Sequence, residues 1–461
     1  MRARLLSASA GQILVACACL GMHAAAAQTR PVVRAETGAT AVVQHVVRTN
    51  PDIDAIRQQV RVLEARVAAA RSAGLPSISG NVVVQARKLD VRNGTQGDSE
   101  FVSGQASVGG RLAVFDGGRT INGIAVAEQE LASGQAAFHA AVSDVLQQLL
   151  ISAADVHRDQ QIKLYAEQQS EAVAEQLRAI GRRYEVSEAT RTDQAQARAR
   201  LASVQANIAA AEEALGTSRN RWQRISGKPV SAVPPLPALA GLPATLPQAQ
   251  QRALERNPRV RIAKRNAVAA DFAVRVASGA LLPQVDAIAG YEYLTGGVAN
   301  LFTGKLPEDR SAAFGGVEMN VPLFEPRNYA DLRRARGTRA QRLAQVRLTE
   351  RDILEETASN WVSWQSAAES IGAAAIAVTA QERAVEGLKR EWENGNRTVI
   401  EVLDAQRELL DARVVLERAR RNEYVARVGV LAAMGEMKPQ AILPYADERH
   451  LAGQRGRVAA R

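Results

Sequence analysis

The sequence predicts a mainly α-helical protein that also carries membrane-type β-strands and is built from two copies of one unit. Three observations support this fold class. Short motifs recur at a nearly constant offset, four segments alternate polar and apolar residues, and long proline-free stretches carry a heptad pattern. The composition agrees, since only 4% of the 461 residues are aromatic and abundant alanine and arginine favour long helices over a compact enzyme core.

Residues 1–27 have the pattern of a secretory signal peptide. Arg2 and Arg4 supply positive charge, residues 13–22 are apolar, and Ala25–Ala27 offers a small-residue cleavage site. A competing pattern at residues 14–17 looks like a lipoprotein box that would acylate Cys17. We therefore expect the protein to leave the cytoplasm of a bacterium.

The composition also argues against several other classes of protein. The two cysteines lie in the first thirty residues and the five histidines lack metal-ligand spacing, so no disulfide scaffold and no metal site is expected. No glycine-rich phosphate loop and no supported catalytic constellation occurs, so we expect neither an enzyme nor a cofactor.

The net charge of +10 comes from arginines interleaved with acidic residues, which predicts solvated helix faces and no nucleic-acid partner. No apolar run is long enough for a transmembrane helix.

Four pairs of motifs reveal the internal repeat. Their offsets along the chain are 207, 207, 209 and 208 residues. The pairs are Asn50-Pro51 with Asn257-Pro258, Leu75-Pro76 with Leu282-Pro283, Val114-Phe115-Asp116 with Leu323-Phe324-Glu325, and Thr190 with Thr398. The predicted organisation is repeat 1 at 28–226, a proline-rich linker at 227–247, repeat 2 at 248–436 and a basic mobile tail at 437–461.

Each repeat is predicted to begin with a helix that an asparagine caps and a proline opens. Two strands follow in each repeat, at about 76–88 and 101–115 in the first and at about 283–294 and 311–324 in the second. Their alternation over roughly ten residues is typical of membrane barrel strands. It fits a soluble hairpin with one buried face equally well.

A very long helical hairpin is predicted after each pair of strands. Residues 117–180 contain no proline and would span roughly 95 Å as one helix. The returning helices carry heptad positions, which predict packing of helix against helix. These positions are Ala197, Leu201, Val204, Ile208, Ala211 and Leu215 in repeat 1, and Val402, Ala405, Leu409, Ala412, Leu416 and Ala419 in repeat 2. A plain antiparallel hairpin is the alternative, but the doubled unit favours a long tube.

Four strands leave a sheet with two open edges. Unpaired backbone groups are not tolerated in a bilayer, so membrane-spanning strands would require several chains to close a barrel. Three chains would supply twelve strands, although the alternation itself does not determine that number.

Three motifs in this order resemble the TolC-like outer-membrane factor family. They are residues 112–119 (LAVFDGGR), residues 321–324 (VPLF) and residues 394–406 (NGNRTVIEVLDAQ). The resemblance implies a homotrimer in the outer membrane, with a twelve-stranded β-barrel continuous with a long periplasmic α-helical coiled-coil barrel. It also implies a periplasmic adaptor (membrane fusion) protein and an inner-membrane pump as partners. The strand–helix junctions would be formed by Phe115, Gly117, Gly118, Phe324 and Pro326.

The second tip motif is similar to that of the type I secretion branch of the family. It keeps Gly395, Arg397 and Thr398, with Glu401 and Asp404 behind them. This likeness implies an exit duct for a large protein, such as a cyclolysin- or haemolysin-type toxin, driven by an ABC transporter. Multidrug or metal efflux through the same fold is one alternative, and a periplasmic coiled-coil adaptor is another.

The resemblance also assigns roles to the tip residues. Glu401 and Asp404 would form a cation-selective constriction, while the alternative is a solvated helix face. Arg397 and Trp392 would form a latch with Thr192 and Asp193 on the first tip.

Three positions depart from the family pattern. Trp392 replaces a tyrosine in the latch, and Glu325-Pro326-Arg327 replaces Asp-Gly-Gly at the second junction. Ser187 stands where the first tip often has glycine, which predicts a different turn there.

Overall fold

The computed structural model describes residues 38–89, 99–228, 235–239, 241–296 and 309–439. The expected signal peptide, the alternative lipidation at Cys17, part of the expected linker and the tail beyond residue 439 lie outside this part of the chain. No helix in these ranges is long and apolar enough to cross a membrane.

The two halves of the chain have the same order of elements: short helix, helix, two strands, long helix, helix. The first half contains α1 (Gly38–Thr49), α2 (Pro51–Ser72), β1 (Ser77–Leu89), β2 (Ser99–Phe115), α3 (Arg119–Glu185) and α4 (Arg191–Ser226). The second contains α5 (Leu246–Arg256), α6 (Pro258–Gly279), β3 (Gln284–Gly296), β4 (Arg310–Asn320), α7 (Pro326–Glu393) and α8 (Val399–Ala433). The short helices α1 and α5 were not expected from the sequence.

The strands form one antiparallel sheet in the order β1-β2-β3-β4. Strand β4 ends at Asn320, earlier than the expected residue 324. Pro322 follows two residues later, and a proline has no N–H to donate to a neighbouring strand. The ladder of hydrogen bonds therefore stops before the apolar residues Leu323 and Phe324.

The two faces of the sheet differ in polarity. One face carries large apolar side chains that are more than half exposed, and no element in the described part of the chain covers them. These side chains are Ile78, Val82, Val84, Val108, Val317 and Met319. On the opposite face Arg111 forms ion pairs with Asp286 at 3.3 Å and Glu318 at 2.8 Å. A soluble hairpin would bury the apolar face, so the arrangement favours lipid on one side and water on the other.

Two uninterrupted helices set the length of the molecule. Helices α3 and α7 have 67 and 68 residues, which corresponds to about 100 Å each. The returning helices α4 and α8 pack against them along the expected heptad positions, because Ala197, Val204, Leu215, Val402 and Leu416 are all buried. The coiled-coil hairpins predicted by the sequence are confirmed.

The larger hydrophobic core lies where the short helices meet the middle of the long ones. Val46 of α1, Leu146 of α3, Trp222 of α4 and Met434 after α8 are almost fully buried there. Residues of the segment between the halves, including Leu239, also pack against this core. The hydroxyl of Tyr424 donates to the carbonyl of Pro237 at 3.3 Å, so the described part of this segment is held on α8.

Asn50 joins two helices that are far apart in sequence. Its side-chain oxygen accepts hydrogen bonds from the N–H groups of Asp52 at 2.9 Å and Ile53 at 3.4 Å, which caps the start of α2. Its side-chain NH₂ donates to the carbonyl of Ile225, in the last turn of α4, at 3.2 Å. One buried amide thus supplies hydrogen-bond partners to backbone groups at the end of α4 and at the start of α2. The two helices meet end to end at this residue, and we call such a pair a spliced rod.

Asn257 repeats this arrangement in the second half. It caps α6 by accepting from the N–H of Arg259 at 2.8 Å, and it donates to the carbonyl of Ala433, the last residue of α8, at 2.7 Å. The backbone angles of the two asparagines are nearly identical, with φ −68° and ψ 126° at Asn50 and φ −62° and ψ 127° at Asn257. Each half therefore supplies one continuous rod and one spliced rod.

We expect Asn257→Ala to lower the free energy of unfolding by about 2 kcal/mol. The substitution removes an N-cap, which costs about 0.5–2 kcal/mol, and leaves the carbonyl of Ala433 without its side-chain donor. Thermal or urea melting of the detergent-solubilised protein, followed by helical circular dichroism, measures the change. Asn422→Ala on the exposed face of α8 is the matched control and should change stability by less than about 0.5 kcal/mol. Equal effects of the two substitutions would contradict the role of the splice.

Candidate functional site: the helix tips and the strand–helix junctions

The first strand–helix junction depends on two glycines. Gly117 and Gly118 have φ values of 68° and 78°, a left-handed conformation that costs other residues energy. At Gly117 an added Cβ would lie only 2.4 Å from the carbonyl oxygen of Gly279 at the end of α6. The chain can therefore turn from β2 into α3 only with glycine at this point. Phe115, just before the turn, is half exposed.

The second junction uses a different geometry. Pro326 is the first residue of α7 and Glu325 precedes it with φ −128°, so no left-handed residue is needed. Proline suits this place because its fixed φ is helical and the first N–H of a helix has no partner within the helix. The side-chain NH₂ of Asn328 donates to the carbonyl of Ala280 at 3.0 Å and ties the start of α7 to the end of α6. Phe324 is largely exposed beside it.

The turns at the two helix tips have the same backbone path. Ser187 has φ 64° and Gly395 has φ 79°. The N–H of Glu188 donates to the carbonyl of Arg183 at 2.8 Å, and the N–H of Asn396 donates to the carbonyl of Glu391 at the same distance. The expectation that Ser187 would change the first turn is wrong. Serine adopts the glycine conformation there, at an energetic cost.

Both returning helices begin with a capping box, in which two side chains satisfy each other's backbone N–H groups. In α4, Asp193 accepts from the N–H of Thr190 at 2.9 Å and returns its own N–H to the Thr190 hydroxyl at 3.1 Å. In α8, Glu401 accepts from the N–H of Thr398 at 2.9 Å. Two of the acids expected at the latch and the constriction therefore also start helices.

The expected latch residue Arg397 lies between two carboxylates of its own hairpin. Its Nε is 3.0 Å from Glu391 and its Nη1 is 3.2 Å from Glu401. The N–H of Thr398, followed by Arg397, lowers the pKa of Glu401 below its ordinary value. These ion pairs lie within one chain, and Asp193 is held in its capping box. Contact between Arg397 and Asp193, with Thr192 beside it, stays a prediction about the assembled tips.

Trp392 lies in a second hydrophobic core that joins the two tips. Only 9% of the residue is exposed, and the cluster includes Ile180 of α3, Ala197 of α4 and Val402 of α8. The guanidinium of Arg183 stacks 4.8 Å from the centre of its ring. Trp392 therefore acts in this chain through packing and a cation–π contact, which do not need a hydrogen-bond acceptor.

Arg183 is a tip residue that sequence reasoning missed. Besides stacking on Trp392, it donates to the carbonyls of Trp392 at 3.4 Å and Glu393 at 3.3 Å. These carbonyls end α7, where a positive charge is favourable. Arg183 thus ties the end of α3 to the end of α7. Arg183 and Trp392 are 209 positions apart in the sequence, so no local sequence pattern could have predicted their contact.

Arg200 is the second missed residue. It forms an ion pair between α4 and Asp404 of α8, and so connects the two hairpins again. Each acid expected at the constriction therefore has a cation beside it in the same chain: Arg397 for Glu401 and Arg200 for Asp404. Within the described ranges no group of three or more His, Cys, Asp or Glu side chains could hold a metal ion.

A comparison with known protein families identifies the family of the chain. The family model described as "Outer membrane efflux protein" matches residues 42–228 and 249–436, which is most of the chain and one match for each half. The chain belongs to this family of TolC-like outer-membrane factors. Membership confirms the family resemblance, the outer-membrane location and the prediction that the protein is a channel and not an enzyme. The alternative that this protein is itself a periplasmic adaptor is thereby excluded.

Individual relatives agree with the family. The outer membrane efflux protein BepC of Brucella suis is 27% identical over 408 residues, covering 87% of each chain. Outer membrane protein TolC of Escherichia coli is 23% identical over 293 residues, covering 60% of this chain and 59% of the relative. The Campylobacter jejuni CmeC outer membrane channel has the same fold, with a TM-score of 0.76 at 15% identity over 90% of this chain and 88% of that one.

The protein is thus an outer-membrane efflux channel of the TolC type. TolC-like channels are trimers that work with adaptor proteins and inner-membrane transporters. The sheet described above supplies the strands of a membrane barrel, and the helical hairpins extend from it into the periplasm.

Ser187→Gly should stabilise the first tip by about 0.5–1 kcal/mol. The left-handed conformation costs a non-glycine residue roughly 1–2 kcal/mol, and the greater freedom of glycine in the unfolded chain offsets part of that gain. Amide hydrogen exchange at the tips measures the effect, with slower exchange expected around residues 183–193. Gly395→Ser, the matched substitution in the second tip, should accelerate exchange there. Unchanged exchange in both variants would show that the turns are not strained.

Proposed function

We propose that this channel is the exit duct of a type I secretion system, in which an ABC transporter drives a large protein, such as a toxin, across the periplasm and outer membrane. The observation that carries the proposal is the second tip. Gly395, Arg397 and Thr398 followed by Glu401 and Asp404 are similar to the tip of that branch of the family. The energy would come from the transporter, and a periplasmic adaptor would connect it to the helix tips.

Efflux of drugs or metal ions through the same duct is the second candidate. One relative, which is 27% identical over most of both chains, is the outer membrane efflux protein BepC. The two candidates differ in the cargo and the inner-membrane partner, but they need the same channel and the same opening of the tips.

We further propose that the tips form the gate of the channel. Glu401 and Asp404 would repeat in the three protomers as acidic rings around the axis and select for cations. The latch that keeps the tips closed would join Arg397 and Trp392 of the second tip to Thr192 and Asp193 of the first tip. The channel would open when contacts with an adaptor outcompete the latch between Arg397 and Asp193.

Deletion of the gene tests the proposed cargo. We expect the culture supernatant to lose one or a few large proteins, and a plasmid copy of the gene to restore them. Quantitative proteomics of the supernatant measures protein secretion, and growth inhibition by drugs and metal ions measures efflux, so one deletion strain tests both candidates. An unchanged supernatant with increased sensitivity to drugs or metal ions, in a parent strain shown to make the channel, would establish efflux instead.

Arg397→Ala should raise the resting conductance of the purified trimer in a planar bilayer. The substitution removes the cation that bridges Glu391 and Glu401 and that is proposed to reach Asp193 of the neighbouring tip. Arg390→Ala is the matched control, because Arg390 is exposed near the same tip and pairs with Glu386 on its own helix. A pore that stays as tightly closed as the native one in Arg397→Ala would rule out the latch.

Arg200→Gln should increase the preference of the pore for cations, because it leaves the carboxylate of Asp404 without its neighbouring positive charge. Asp404→Asn should reduce that preference. The reversal potential in a KCl gradient measures both. If Asp404→Asn has no effect, Asp404 does not line the constriction. If Asp404→Asn acts but Arg200→Gln does not, the ion pair does not control the charge of the ring.

A further inference from the structure

We propose that β4 of one protomer pairs with β1 of the next in one particular register, with Met319 opposite the partner's Val82 and Val317 opposite the partner's Val84. Trimeric assembly is a property of the family, but it does not say which residues meet. In the described sheet, β1 and β4 each have a hydrogen-bonded neighbour on one side only. A second copy of the chain is the occupant that both edges fit, because an unpaired strand edge is not tolerated in a bilayer.

The repeat fixes how the two halves of the sheet correspond. Ser77 lies opposite Arg111 in the first hairpin, and Gln284 lies opposite Asn320 in the second. Gln284 lies 207 residues after Ser77 in the sequence, and Asn320 lies 209 residues after Arg111. These are the offsets of the Leu-Pro and Val-Phe-Asp motifs in the sequence. The two hairpins are therefore copies of one another in register as well as in sequence.

The contact between β2 and β3 then serves as a template for the contact between chains. It joins the first hairpin to the second, and in a closed barrel β4 must join the second hairpin to the first hairpin of the next chain. Gly110 lies opposite Ala289 and Val108 lies opposite Tyr291. The residues of β4 that correspond to Gly110 and Val108 lie 209 positions later, and they are Met319 and Val317. The residues of β1 that correspond to Ala289 and Tyr291 lie 207 positions earlier. The template therefore places Met319 opposite the partner's Val82 and Val317 opposite the partner's Val84.

The two faces of the sheet provide an independent check of this register. Val82, Val84, Val317 and Met319 are 76%, 72%, 71% and 66% exposed in the single chain, and all four lie on the apolar face. The proposed register keeps them together, and it places Glu318 opposite the partner's Val83 on the face that carries Arg111. A slip by one residue would mix the two faces. The competing registers are therefore slips by two residues in either direction.

Disulfide cross-linking distinguishes these registers with four residues. Full-length double variants are made in the outer membrane, oxidised and separated by non-reducing electrophoresis. Met319→Cys with Val82→Cys, and Val317→Cys with Val84→Cys, should give covalent dimers and trimers. Met319→Cys with Val84→Cys, and Val317→Cys with Val82→Cys, place the same residues in the two slipped registers. They should cross-link at least tenfold less, because diagonal Cβ atoms lie about 7–8 Å apart and a disulfide needs about 3.5–4.5 Å.

Three controls make each outcome decisive. Single-cysteine variants give the background from Cys17, Cys19 and collisions between trimers. Val108→Cys with Tyr291→Cys, the template pair within one chain, shows by loss of free thiols whether this kind of position can be cross-linked. Glu318→Cys with Val83→Cys tests the alternate position of the ladder on the other face. Preferential cross-linking of a slipped pair, or no cross-linking on either face while the template pair reacts, would overturn the proposal.

Discussion

Two buried asparagine side chains hold together helices that the chain does not connect directly. A helix end leaves several backbone groups without partners, and such groups are costly when buried. Asn50 and Asn257 supply a donor to the helix that ends and an acceptor to the helix that begins. The spliced rods α4–α2 and α8–α6 can therefore run beside the continuous helices α3 and α7. The walls of the periplasmic tube depend on this amide contact in each half, together with the hydrophobic core around it.

The charged residues of the tips serve the local fold and the proposed gate with the same atoms. Glu401 caps α8 and pairs with Arg397, and Asp193 caps α4. The hairpins are tied to each other by different residues, namely Arg183 on the end of α7 and Arg200 on Asp404. Exposed ion pairs stabilise little when taken singly. The Trp392 core beneath them is therefore the stronger link between the two tips of one chain.

Much of the fold could be predicted from the sequence because its causes are local or periodic. Alternation gave the strands, heptads gave the coiled coils, and the asparagine–proline pairs marked the starts of α2 and α6. The short helices α1 and α5 escaped notice because each has only about three turns and is stabilised by the core it covers. The contacts of Arg183 and Arg200 join residues more than 200 positions apart, so only the folded chain reveals them. The end-to-end contacts of α4 with α2 and of α8 with α6 could not be predicted either. The asparagine–proline motif indicates which helix begins, but it does not indicate which helix ends beside it.

The close approach of Gly117 to Gly279 has a consequence for the symmetry of the assembled channel. The repeat suggests six nearly equal units around the axis. Under the offsets that relate the two hairpins, however, these glycines correspond to Pro326 and Ser72, both of which carry side chains. If neighbouring chains meet in the register proposed above, the helices on either side of a subunit boundary would approach less closely at this level than the equivalent helices within one chain. The approximate sixfold symmetry would then reduce to threefold symmetry at the strand–helix junctions, with three tight boundaries inside the chains and three wider ones between them.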